Sequence, residues 1–85
     1  MDRNKLTAGV AAILTTVAET ETAPEGIMYA ALMGSYSLEE FNDLLGILAK
    51  SGLVTRTGYH EVAITPEGKA VAAKIEAAMS ARKAV

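Results

Sequence analysis

The sequence predicts a mainly helical α+β domain, ordered helix, helix, helix, hairpin, helix. Three observations carry that expectation. Apolar residues recur at helical spacing from Leu6 to Val17 and again from Phe41 to Leu48. A Ser37-x-x-Glu40 pattern stands just ahead of the second stripe, where a helix N-terminus needs it. From Leu53 to Ile64 the spacing turns to strand-like alternation around a Thr-Gly pair, before a long alanine-rich helical stretch closes the chain.

Leu6, Val10, Ile13, Leu14 and Val17 share one helical face and predict a first helix over residues 3–19. The segment ETETAP then breaks the pattern. Pro24 suits the first position of a second helix over 24–33, with Glu25 favourable at its positive end. That helix is expected to bury Ile27, Met28, Ala31 and Leu32 and to stop at Gly34. Ser37 and Glu40 open a third helix over 38–51, whose buried stripe is Phe41, Leu44, Leu45 and Leu48 and whose terminator is Gly52. LVTRTGYHEVAIT reads as a hairpin over 53–64 with a two-residue turn at Thr57-Gly58. Thr65 caps and Pro66 begins a last helix over 66–82, with Val71, Ile75, Ala78 and Met79 as its core stripe.

With 85 residues the chain holds one domain, 1–85. Its hydrophobic fraction of 51% is high for that size and points to apolar surface that meets another copy or a partner. The absence of cysteine excludes disulfides and a thiolate metal site. A single His, no glycine-rich phosphate loop, no ligand spacing for a metal and no carboxylates poised to face each other argue against an enzyme, a metal site and a bound cofactor. MDRNK followed by LTAGVAAILTTVA has the outline of a leader. Gly9, Thr15 and Thr16 interrupt its apolar run, however, and the run carries a helical stripe, so a core helix of a cytoplasmic protein is expected. No run reaches the roughly 20 apolar residues of a membrane span.

The stretch ILAKSGLVTR…YHEVAITPEGKAV supplies a more specific pattern. Leu48, the Gly52-Leu53-Val54 run, Arg56 and Ile64-Thr65-Pro66-Glu67-Gly68 resemble the corresponding residues of small winged helix-turn-helix regulators of the MarR and PadR kind, and the resemblance spans roughly residues 10–80. It implies a winged helix-turn-helix in the order α-α-α-β-β-α and a DNA-binding transcriptional regulator. The third helix would lie in the major groove with the hairpin as a wing beside it. Carried onto this chain, the nucleic-acid candidates are Asn42, Lys50, Arg56, Tyr59 and His60. The resemblance also implies a homodimer through helices one and four. Small-residue stripes on those helices, Gly9, Ala12 and Thr16 on one and Ala70, Ala73, Ala77, Ala81 and Ala84 on the other, are candidate contacts. The alanines serve equally as good helix formers on an exposed face.

Charge pulls against the DNA expectation. The net charge is −2, and residues 37–51 hold three acids and one base, so that segment carries the whole excess. The positions that should approach the polyanion are Leu38, Glu39, Glu40, Asn42 and Asp43. Phosphate contacts supply most DNA affinity, and within the segment Lys50 alone can make one. Glu39 and Glu40 also favour the helix dipole, which explains them structurally without removing their repulsion of phosphate. Two expectations therefore stand. One is a DNA-binding dimer, aided if Arg3, Lys5, Lys69, Lys74 and Arg82 gather on one side. The other is an interaction module that docks a basic protein through Leu38, Glu39, Glu40 and Asp43.

Overall fold

Asp2 starts the first helix: its carboxylate accepts the backbone N–H of Lys5 at 2.8 Å, and α1 runs Arg3–Thr20. The computed structural model describes residues 1–58 and 60–83, with side chains through position 80. After α1 come β1 (Thr22–Pro24), α2 (Glu25–Leu32), α3 (Leu38–Lys50), β2 (Val54–Arg56), β3 (Glu61–Ile64) and α4 (Pro66–Lys83). The strands form an antiparallel sheet in the order β1-β3-β2. Val62 on the central strand lies opposite Ala23 on one side and Arg56 on the other.

The core sits where α1, α3 and the sheet meet. Ile13, Leu14, Val17, Phe41, Leu44, Leu45, Leu48 and Val62 are its largest fully buried side chains. The predicted stripes of α1 and α3 thus face inward as their spacing requires. Gly52 takes φ 77° and lets the chain leave α3 directly into β2. Thr65 Oγ1 accepts the amide of Gly68 at 3.0 Å, so the predicted cap of α4 forms.

Other expectations are corrected. The ETETAP segment holds a third strand, β1, which is too short for alternation to announce it. Pro24 ends that strand in extended backbone (φ −66°, ψ 135°) as the N-cap of α2, rather than opening the helix. Ile27 is 68% exposed and Ala31 is also exposed, leaving Met28 as the buried residue of α2. The helix ends at Leu32, just ahead of Gly34, with Met33 as its C-cap in right-handed helical backbone (φ −61°, ψ −18°). The hairpin connection is four residues, 57–60, rather than two, closed by the amide of Thr57 donating to the carbonyl of Glu61 at 2.8 Å.

On α4 the expected stripe packs inward only in its first half. Gly68 and Ala72 are buried, Val71 and Ile75 half-buried, while Ala78 is exposed and Met79 is 50% exposed. A Cβ on Gly68 would overlap the Leu53 carbonyl oxygen, so the start of α4 lies hard against the α3–β2 connection with its small residues inward. Residues 76–80 all lie on the surface.

Two glycine substitutions separate backbone contact from side-chain contact. Gly68→Ala drives a methyl into a carbonyl that cannot yield and should cost about 3 kcal/mol. At Gly9 the added methyl meets the Leu44 Cδ1 at 2.6 Å, a side-chain end that can move. The better helix propensity of alanine offsets part of the overpacking, so Gly9→Ala should cost about 1 kcal/mol. Urea unfolding of both variants measures the difference.

Candidate functional site

The outward face of α3 is the natural candidate, and its mounting begins at Ser37. The Ser37 Oγ accepts the amide of Glu40 at 3.1 Å, and the Ser37 amide donates back to Glu40 Oε1 at 2.9 Å, which completes the capping box. Lys5 of α1 then reaches the same carboxylate, its Nζ donating to Glu40 Oε1 at 3.0 Å and to Oε2 at 3.1 Å. That ammonium lies 5.1 Å from the centre of the Tyr36 ring, whose hydroxyl donates to the Lys5 carbonyl at 2.7 Å. The Ser37 amide, with Lys5 beside it, holds the Glu40 carboxyl below the ordinary glutamate range. Glu40 is therefore a bracket between α1 and α3 rather than an outward-facing docking group.

The other predicted outward positions do face out. Leu38 is 55% exposed, and Glu39, Asn42 and Asp43 are exposed with it. Lys50 shares a shallow groove with Asn42 and Asp43 along the outside of α3. Gly46 and Ile47 lie between them, and the sequence reading passed over both. Ile47 is 42% exposed, and a Cβ on Gly46 would meet nothing within 4 Å. A detectable signal existed: a glycine and a bulky aliphatic at the centre of a strongly amphipathic helix, on the side away from its apolar stripe.

Of the wing candidates, Arg56 is otherwise engaged. Arg56 grips the carboxylate of Glu25 with two hydrogen bonds, Nη2 to Oε1 at 3.1 Å and Nε to Oε2 at 3.3 Å. The Glu25 amide donates to the His60 carbonyl at 2.8 Å, so the hairpin connection caps α2. His60 itself is exposed, with φ 58°. Tyr59 lies outside the described residues. Lys69 is also paired, its Nζ donating to Glu21 Oε1 at 2.7 Å, which lowers the pKa of that carboxyl. Of the cations proposed to gather, Lys5 and Lys69 are thus committed to acids on different elements, and the side chain of Arg82 lies outside the described residues.

The small-residue stripes divide. Gly9 is buried against Leu44 and the Tyr36 ring inside the chain, which removes it from any surface. Ala12 and Thr16 line an apolar cleft of about 330 Å³ with Ile27, Met28 and Ala31, between α1, β1 and α2. Ala70, Ala73 and Ala77 are exposed on α4. The Ala81 side chain and Ala84 lie outside the described residues. On the opposite flank of α1, a second groove of about 460 Å³ runs from Leu6 and Val10 past Ile47 to Ile75 and Met79. Among the described residues no cluster of His, Asp and Glu could hold a metal ion, and no helix is long and apolar enough to cross a membrane.

No protein-family model matches the chain, and neither a curated protein nor a solved structure gives a match.

Because the Glu40 pKa is lowered in the folded chain, its ionised form stabilises the fold at pH values above its ordinary value of 4.5. That contribution should fade as pH falls through the lower folded value. Glu40→Gln should flatten this part of the acid-unfolding profile relative to the parent chain, as read by circular dichroism between pH 6 and about pH 2.

Proposed function

We propose that the chain is a winged-helix module of the regulator type that works by docking protein on the outward face of α3 rather than by reading DNA. The architecture supports the winged-helix part. Helices α2 and α3 follow one another across residues 33–37, a hairpin follows α3, and β1 joins the hairpin between α1 and α2. The Gly52 turn and the Thr65 cap, two of the residues that carry the resemblance, have the roles their positions require.

One observation carries the docking part: Arg56 of the hairpin and Lys5 beside α3 are held by carboxylates, while acids outnumber Lys50 on the outward turns of α3. Arg56 is bound to Glu25 and Lys5 to Glu40. Glu39 and Asp43 remain on the exposed face beside Leu38 and Ile47. A phosphate backbone brought there meets negative charge with little to offset it. A protein surface with apolar knobs and matching cations meets a complementary face.

The second reading is a homodimeric DNA-binding regulator, with α3 in the groove and the hairpin as wing. The element order and the exposure of Asn42 and Lys50 favour it.

Fluorescence anisotropy with a labelled random duplex at low salt separates the two. The docking reading expects no binding by the parent chain. It also expects Glu39→Lys with Asp43→Lys to gain duplex affinity of about tenfold or more, lost steeply as salt rises. Tight, salt-sensitive binding by the parent chain would overturn docking in favour of the regulator.

A further inference from the structure

We infer that the occupant of the α3 face is a second copy of this chain, packed helix against antiparallel helix about a twofold axis at Gly46 and Ile47. The inference rests on the protein-docking reading and adds the identity of the partner.

Asp43, Gly46, Ile47 and Lys50 recur at spacings of three and four and lie on the side of α3 opposite Phe41, Leu44, Leu45 and Leu48. Asp43 and Lys50 stand about 10.5 Å apart along the axis, and Gly46 and Ile47 fall midway between them. A twofold axis through that midpoint reverses the order of the stripe. It sets Asp43 against the partner's Lys50 and Lys50 against the partner's Asp43. It also sets Ile47 beside the partner's Ile47 on one flank of the line from Asp43 to Lys50, and Gly46 beside the partner's Gly46 on the other. A symmetric interface requires such self-complementarity: if one position touches another, the reverse contact must also form. A wholly basic partner would be repelled by Lys50, whereas a second copy pairs it.

Gly46 is the independent observation. A glycine inside a helix weakens it, and this one has no use within its own chain, since its missing side chain faces open space. Close approach of another helix gives the vacancy a purpose, because two facing glycines let the backbones come together there. The apolar surface continues on the α1 side. One groove joins Ile47 to Met1 and Leu6, and the other joins the same Ile47 and Leu6 to Ile75 and Met79. The stripe therefore borders a wider apolar strip, which a dimer built on the exposed alanines of α4 would leave open.

Sedimentation equilibrium tests the contact. The parent chain of 8.9 kDa should sediment at twice that mass. Asp43→Lys alone and Lys50→Asp alone each place like charges across the axis and should raise the dimer dissociation constant about tenfold. The two changes together exchange the partners and should restore the parent value. Circular dichroism melts confirm that each variant is folded. A monomeric parent, single changes without effect, or failure of the double variant to restore dimerisation overturns the inference. So does a dimer that Ala77→Glu dissociates while Asp43→Lys does not, because that places the interface on α4. A monomeric parent that still leaves duplex DNA unbound removes self-docking and keeps the protein-docking reading. A parent that binds duplex removes both.

Discussion

The orientation of α3 depends on one hydroxyl group and the glycine three residues after it. Thr65 Oγ1 lies 2.6 Å from the Gly52 carbonyl and 3.0 Å from that of Leu53, sharing its one proton between them, while it accepts the Gly68 amide. The Thr65 amide donates to the Leu53 carbonyl as well, and the Leu53 amide reaches back to Leu48 on α3. The end of α3, the start of β2 and the start of α4 therefore meet at one polar knot. Gly68 allows it, because any side chain there would hold α4 away from Leu53. With α4 anchored at that point and α1 packed on both helices, α3 presents one defined side to solvent.

What could be read from the sequence follows from how local each cause is. The α1 and α3 stripes, the capping box, the Gly52 turn and the Thr65 cap depend on residues within a few positions of one another, and all of them form. β1 was hidden because its pairing partner lies about forty positions away, at Glu61 to Ala63. The turn that delivers it is made by Glu21 at φ 67°, where a glycine would have signalled the bend. The α4 stripe packs as expected at Val71 and Ile75, but spacing alone does not reveal that the helix runs past the core beyond them. On the candidate site, exposure of Leu38, Glu39, Asn42 and Asp43 followed from periodicity. The pairing of Glu40 with Lys5 and of Arg56 with Glu25 did not, since each joins residues more than thirty positions apart.

Those ion pairs change how the chain's charge should be understood. A net charge of −2 says little by itself, but its distribution is informative. Glu21, Glu25 and Glu40 each hold a cation from another element, so they act as fasteners between elements. Exposed pairs of this kind add little stability individually. Their larger effect is to remove Lys5, Arg56 and Lys69 from the pool available to an external anion. Glu39, Asp43 and Lys50 on α3 are then left to define the character of that surface.

The sheet has a consequence for assembly. Its two edges are β1 and β2, each three residues long, and β1 ends in Pro24, which has no amide hydrogen to offer. Edges so short give an incoming strand almost no ladder to extend, so the chain is poorly suited to strand addition and to fibre-like stacking. An assembly built on this chain would therefore rest on side-chain contacts between surfaces rather than on a shared backbone ladder.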